Sequence, residues 1–439
     1  MAADPTARTP RGADPVDYRR KGTTALLTAI TRAYRDAFSG LPRAVWLQAG
    51  ALLINRSGTM VLPFLGLYLT HERGFTAIAA GRVLSLYGVG AVAGSFIGGW
   101  LSDRLGPVRV QQLSLLGAGV GFVVLGRLMS PLAIGAAVFA LSVAADAFRP
   151  ATFAAVAQRS AVAVRTRSLA LIRLAANLGM SIGPAVGGFL AVHHYSLLFW
   201  ADAITCWLAA AVLAVSFRGA GAGRSPVAVG SPASRRSPWR DGPFLLFLAL
   251  MALLATVFFQ IMSTLPLYWR EHLHLAEDRI GLLLALNTVI IVLFEMVLVR
   301  AVEHRDSLRL VGLGTALVCF GFALMPLGSG SLFIAGTIVV WTVGEMLSLP
   351  LSNAFASLRA GAEGTGRYMG AYMLAFASAF VVAPLVGTTI YQRWGAEVLW
   401  FGCGAVGVVL AVGFGWLSGV VRRDRAMAAA VETRAPGAA

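Results

Sequence analysis

Gly98-Gly99-Trp100-Leu101-Ser102-Asp103-Arg104-Leu105-Gly106-Pro107-Val108-Arg109 is a short charged turn between two long apolar runs. It has an echo 200 residues later, where Glu303, His304 and Arg309 stand at the places of Asp103, Arg104 and Arg109. The same offset pairs Leu67-Tyr68 with Leu267-Tyr268, Gly81 with Gly281, and Gly121-Phe122 with Gly321-Phe322. It also pairs Pro150 with Pro350, Arg167 with Arg367, Pro184 with Pro384, Gly187 with Gly387, and Trp200 with Trp400. Matches among Leu, Ala and Gly are cheap in such a composition; those among Pro, Arg, Tyr and Trp are not. The chain reads as one unit written twice.

The composition says what kind of unit. Of 439 residues, 57% are hydrophobic and 13% charged, against about 25% charged in an ordinary soluble domain. A bilayer crossing needs about 20 apolar residues, and a dozen such runs fit between residues 44 and 420. The expectation is an all-α membrane protein with 12 transmembrane helices in two six-helix pseudo-symmetric bundles. An even number of spans per unit keeps both copies in one orientation, related by an axis along the membrane normal.

Residues 1–43 are predicted to be a cytoplasmic tail, in which Thr24 to Phe38 reads either as an amphipathic interfacial helix or as more tail. The first bundle covers 44–217 and the second 244–420. Between them, 218–243 is a Gly-, Ser-, Pro- and Arg-rich cytoplasmic linker, and 421–439 is a basic cytoplasmic tail. With the N-terminus inside, most of the Lys and Arg residues fall on that same side, the positive-inside pattern of an inner or plasma membrane. This placement accounts for the net charge of +16 and leaves no basic face for nucleic acid. The three cysteines, Cys206, Cys319 and Cys403, lie inside apolar runs and offer no metal spacing.

Two six-span halves, a central basic linker and the motif Gly99-x-x-x-Asp103-Arg104-x-Gly106 resemble the major facilitator superfamily. That resemblance implies a transporter working by alternating access on a small-molecule substrate. It also implies that Asp103 caps the inner ends of neighbouring helices while Arg104 and Arg109 face the cytoplasm. The usual basic pair after the second glycine is replaced by Pro107-Val108, which leaves Arg109 alone. The first copy keeps the glycines and Asp103 and is expected to gate. The second, with Arg300 and Asp306 where Trp100 and Gly106 stand, is expected to be structural. The run Gly179-Met180-Ser181-Ile182-Gly183-Pro184-Ala185-Val186-Gly187-Gly188 resembles the family's fifth-span motif of exporters. Each of its glycines also fits close helix packing, and Pro184 bends the helix.

Ionisable residues inside spans cost about 2.5–3.5 kcal/mol on insertion scales, so each is a functional candidate. Glu345 and Glu295 are predicted as proton sites, because a buried carboxylate that exchanges an Arg partner for a proton couples transport to a gradient. Arg56, midway through the first span, is the substrate or counter-charge candidate. Asp146 and Arg149 share a helix face at i and i+3, and with Arg173 they read as a structural ion network or as transport residues. Asp202 reads as interfacial. Candidate cavity residues are Asn55, Met60, Gln260, Asn287, Trp341 and Tyr372, each equally suited to packing against a neighbouring helix.

The chain has one lysine, Lys21, and no phosphate-binding loop. It shows no nucleophile elbow or catalytic set, so it is not expected to be an enzyme or to carry a cofactor. The expected partners are a small-molecule substrate, protons and the lipid bilayer, acting on a monomer. Among the superfamily's branches the chain looks most like the drug:proton antiporters, which implies proton-coupled efflux of an amphipathic organic compound. The rival is proton-coupled peptide symport, because Gly344-Glu345-Met346-Leu347-Ser348-Leu349-Pro350 is similar to a segment of the peptide transporters. Their Glu-rich first-span motif is missing here, with Asn55 and no acid in place. A receptor or scaffold without flux is the alternative from another class, and it has no need of Glu295 and Glu345.

Overall fold

A computed structural model describes residues 39–217, 237–302 and 304–433. Among the described residues, 12 helices are long and apolar enough to cross a membrane. They are α1 (Arg43–Glu72), α2 (Ala77–Leu105), α3 (Pro107–Arg127), α4 (Pro131–Arg159), α5 (Arg167–His193) and α6 (Ser196–Ser216). After the linker come α7 (Gly242–Met262), α8 (Glu277–Val302), α9 (Ser307–Leu327), α10 (Ser331–Arg359), α11 (Arg367–Trp394) and α12 (Ala396–Asp424). With no water in the hydrocarbon, each span must satisfy its own backbone, and a helix does so internally. The expected spans are all present. Helical backbone also runs beyond Asp424 to Thr433, into the segment expected to be tail.

Local chemistry sets the helix ends. Gly106 has φ +84°, a left-handed conformation that L side chains avoid, and so stops α2 while Pro107 starts α3 at its first position. In the second half the corresponding job is done by Asp306, whose Oδ1 accepts from the Leu308 and Arg309 amides and whose Oδ2 accepts from Ser418 of α12. Burial works against the Asp306 carboxylate, but these donors outweigh it and hold the group below its usual range. Asp241 similarly caps α7 and takes Arg359 at 2.7 and 2.8 Å and the Tyr368 hydroxyl at 3.1 Å.

We call the membrane face bearing Arg43 and Asp424 the tail face and the opposite one the far face. The duplication is visible as packing. Any side chain at Gly281 of α8 would meet the Pro184 carbonyl and the Gly188 Cα of α5, and one at Gly81 of α2 would meet the Pro384 carbonyl and Thr388 of α11. These two symmetry-related contacts join the halves near the far face. Around them, Ser85 donates to the Val381 carbonyl (2.7 Å), the Ile78 amide to Gln392 (2.8 Å) and the Tyr195 hydroxyl to Glu277 (2.9 Å). Burial, reinforced by Glu277, pushes the Tyr195 phenol well above its usual range, so it stays a donor. Toward the tail face α2 turns to its own half, where Gly94 and Gly98 lie against Val143 and Ala147 of α4. The far face is the closed one.

One pair from the sequence reading shifts. Trp400 is fully buried against Tyr268 (5.4 Å), whereas Trp200 is 43% exposed and it is Phe199 that packs on Tyr68 (4.9 Å). The sixth and twelfth spans therefore correspond one residue out of step with the rest.

The first span is not one helix. It is α-helical over Arg43–Ser57 and again over Val61–Leu67, with a turn between. The amides freed there go to Asp202 of α6, which accepts from Met60 at 3.0 and 3.3 Å and from Val61 at 3.0 Å. Asp202 is 1% exposed, so its expected interfacial position is corrected: an amide pair that water cannot reach requires an acceptor inside the protein. The repeat handles its break differently. Past the 3-10 turn Phe259–Met262, Gln260 accepts from Thr264 (2.6 Å) and Ser263 (3.2 Å) and donates to the Thr256 and Ala383 carbonyls.

Two outcomes test this description. Asp202→Ala should cost about 1–3 kcal/mol, the penalty for stranding buried donors, read as a lower unfolding midpoint, with Asp202→Asn losing less; midpoints equal to wild type would show that the break needs no acceptor. Gly81→Leu should wedge the far face apart and raise maleimide labelling of a Ser85→Cys reporter roughly tenfold, as expected for an overpacked contact costing about 1–3 kcal/mol, while unchanged labelling would place the closure elsewhere.

Candidate functional site

Two polar clusters sit at depth, one on each side of the contact between the halves. The first surrounds the break in α1. A cavity of about 70 Å³ is lined there by Asn55, Arg56, Tyr87, Asp146, Asp202 and Cys206, among apolar neighbours. Its location follows from the helix ends that meet there. The α1 break lies at Ser57–Met60, and α4 is interrupted at Ala147, so Asp146 closes one helical segment and Phe148 opens the next. Irregular backbone at membrane depth is tolerated where it is enclosed by protein or lines a cavity. The Asn55 amide donates to the Cys206 sulfur at 3.5 Å, and Tyr87 and Asp146 line the same recess.

The fifth-span motif builds the wall behind this recess. Gly179, Gly183 and Gly187 recur every four residues and form one stripe on α5. Side chains there would meet the Leu53 carbonyl, the Thr59 carbonyl and Met60 respectively. Gly188, next in sequence, faces the other way, onto α8. Pro184 supplies the carbonyl that touches Gly281. The motif is thus a hub on which α1 and α8 both rest.

The second cluster lies on the other half. The Asn287 amide of α8 donates to Glu345 Oε2 at 2.9 Å and to Thr342 Oγ1 at 3.0 Å, both on α10. Arg173 of α5 pairs with Glu295 of α8, across the two halves and toward the tail face. Glu345 is within electrostatic reach of both members of that pair. Arg173, assigned by sequence to a network with Asp146 and Arg149, therefore belongs to this cluster. Among the described residues no ion pair joins Asp146 to Arg149, which flank the junction of two helical segments at Ala147. Arg149 instead lies exposed, within reach of Arg56 and Asp146.

The sequence candidates divide accordingly. Asn55 and Arg56 line the recess, and Asn287 holds Glu345. Met60 is buried beneath Gly187, and Gln260 is buried beneath Gly387 with its amide fully used at the α7 turn. Trp341 lies between Phe322 (4.7 Å) and Trp269 (6.3 Å), and Tyr372 bonds Ser352 (2.8 Å). These four lie against packing partners within their own half-bundles. Tyr87, Thr342 and Asp202 are the members that sequence reasoning missed or misplaced. Their signal was available as hydroxyl and acid groups within spans, but their partners are far along the chain.

At the tail-face turn, Asp103, Arg104 and Arg109 are exposed, and Arg104 stacks over Trp100 at 3.9 Å. Among the described residues Asp103 caps no helix in this conformation. The close backbone approach belongs to Gly98, while a side chain at Gly99 would meet open space. Glu303, the echo of Asp103, lies outside the described residues.

Comparison with known proteins places this architecture. The model of the Major Facilitator Superfamily matches residues 49–384. The chain is 25% identical over 361 residues to the uncharacterized MFS-type transporter YqjV of Bacillus subtilis, covering 79% of this chain and 86% of that protein. It is 24% identical over 405 residues to a Na(+), Li(+), K(+)/H(+) antiporter of Planococcus maritimus, covering 85% and 93%. It is 22% identical over 393 residues to the multidrug resistance protein MdtH of Yersinia enterocolitica, covering 86% and 94%. A crystal structure of a peptide transporter POT superposes with a TM-score of 0.73 at 17% identity, covering 88% and 96%, a likeness of fold. These relatives are transporters and not enzymes. With the family model matching residues 49–384, most of the chain, and 12 candidate spans among the described residues, this multi-pass membrane protein belongs to the Major Facilitator Superfamily.

Proposed function

We propose that the chain exports a small amphipathic organic compound in exchange for protons, with the tail face cytoplasmic. The observation that carries this reading is the acid cluster at the contact between the halves: Glu295 paired with Arg173 across it, and Glu345 held by Asn287 close by. A charge in low dielectric is costly unless paired or neutralised. Breaking the Arg173–Glu295 contact therefore favours a proton on the acid, and that contact must change when the halves rock.

With the far face closed, we read this conformation as the one that faces the cytoplasm. Substrate enters from the tail face as protons leave Glu345 and Glu295. The halves then rock about the α5–α8 and α2–α11 contacts, the far face opens, and protons arriving from outside displace the substrate. Both the similarity to a multidrug protein and to a proton antiporter and the exporter-like run from Gly179 to Gly188 favour export. The positive-inside distribution of arginine supports an inner or plasma membrane with both termini inside. Nothing in this scheme requires more than a monomer.

In proteoliposomes with an imposed pH gradient and a substrate panel, Glu345→Gln and Glu295→Gln should each abolish uphill export while protein levels stay normal. Undiminished export in both would remove them from coupling, and inward, proton-driven accumulation would replace export with symport. At the tail-face turn, Asp103→Asn should reduce transport far more than Glu303→Gln; equal losses would show that both copies of the turn gate.

A further inference from the structure

The far-face end of α8 carries a carboxylate with one partner from each half. Glu277, the first residue of α8, is buried. Its Oε1 accepts from the Tyr195 hydroxyl of the first half at 2.9 Å and lies 3.4 Å from Arg270 Nε of its own half. The two contacts are unequal. The first is a full hydrogen bond, whereas the second exceeds the usual N–H···O range of about 2.7–3.2 Å. Arg270 is held in this standby place through Nη1, which donates to the Leu275 carbonyl at 3.2 Å.

The cluster sits on the α5–α8 contact itself, since a side chain at Gly188 would meet the Glu277 carbonyl. Opening the far face separates α8 from α5 there, so Glu277 must part from Tyr195. Arg270 belongs to the short helix Thr264–Glu271 that follows α7, in the same half as Glu277, and travels with it. A carboxylate stripped of its partner in low dielectric is costly, and a second partner on its own side removes that cost. The α2–α11 contact has no such arrangement. At the corresponding start of α2, the Ile78 amide donates to Gln392 at 2.8 Å, a bond between uncharged groups.

We propose that Glu277 changes partners as the far face opens: Tyr195 holds it in the closed state, and Arg270 takes it over in the open one. Tyr195 and Arg270 therefore bias the two states in opposite directions. Removing the hydroxyl takes a bond from the closed state alone, and removing the guanidinium takes most from the open state, because an equilibrium shifts only by the difference in interaction between its two ends. Both are positioning residues that act through Glu277. The proposal goes beyond the export reading, since it needs the halves to rock and needs neither a particular substrate nor a proton on Glu295 or Glu345.

The test is the rate at which a membrane-impermeant maleimide labels a Ser85→Cys reporter in the purified full-length protein in liposomes, with no substrate and no gradient. Ser85 is buried on the α2–α11 side, away from the altered residues, and the three native cysteines are buried. In this background Tyr195→Phe should raise the rate at least about tenfold, the weight of a hydrogen bond to a charged group. Arg270→Gln should lower it by about threefold, as suits a partly exposed ion pair, and Arg270→Lys should stay within about twofold of the parent. Arg270→Met repeats the measurement if the glutamine variant does not fold. With Glu277→Gln already present, Arg270→Gln should change nothing, because no charge is left to receive. Rates that move in the same direction for Tyr195→Phe and Arg270→Gln, as a merely structural role would give, overturn the proposal, as do rates that do not move or an Arg270→Gln effect that persists beside Glu277→Gln. Failure of the export reading leaves these rates as they are, and failure of the partner exchange leaves the direction of transport as it is.

Discussion

Two glycines 200 residues apart, Gly81 and Gly281, let helices of opposite halves touch backbone to backbone. In lipid there is no hydrophobic force between helices, because the tails are as apolar as leucine, and association depends on close van der Waals approach. A single methyl group at either glycine would collide with a carbonyl of the facing helix. Everything that makes the molecule a two-part machine hangs on these contacts. They hold the two halves together near the far face.

The span-5 motif connects that pivot to the polar interior. Its stripe of Gly179, Gly183 and Gly187 presses on the broken part of α1, and its neighbour Gly188 presses on α8. A movement of α8 against α5 is thereby felt at the α1 break, where Asp202 holds the second helical piece and Arg56 lines the recess. Arg173, on the same α5, carries the ion pair to Glu295. One helix thus links the pivot, the recess and the acid cluster.

The two halves solve the same structural problems with different residues. At the span breaks the first half uses an acid from another helix, Asp202, and the second uses Gln260 within its own turn. At the tail-face turns the first half has a glycine in a left-handed conformation and an exposed Asp103, and the second has Asp306 as a fixed cap tied to α12. The first turn is therefore free to change partners, and the second is bound into its own bundle. The deep charges have diverged in the same way, with Arg56, Arg149 and Arg173 all in the first half and acids in both.

Twelve spans, two halves and their symmetry were legible in the sequence, because the bilayer imposes a length and a polarity that composition records directly. The offset pairs Gly81 with Gly281 and Pro184 with Pro384 even marked the pivot residues, though not that they touch crosswise, α2 to α11 and α5 to α8. The residues with perturbing charge were legible too, since an acid or arginine in a span is conspicuous. What composition does not record is direction. A helix of buried residues has the same hydropathy whichever way it is turned, so Met60, Gln260, Trp341 and Tyr372 could be picked out and still face their own bundles. Asp202 looked interfacial by its distance from the span end. Only the tertiary structure, by bringing the broken α1 against α6, gave it two amides to hold. Arg173 went to Glu295 and not to Asp146 for the same reason: partners 122 residues apart are chosen by which helices pack, and that is decided by glycines whose neighbours the sequence does not name.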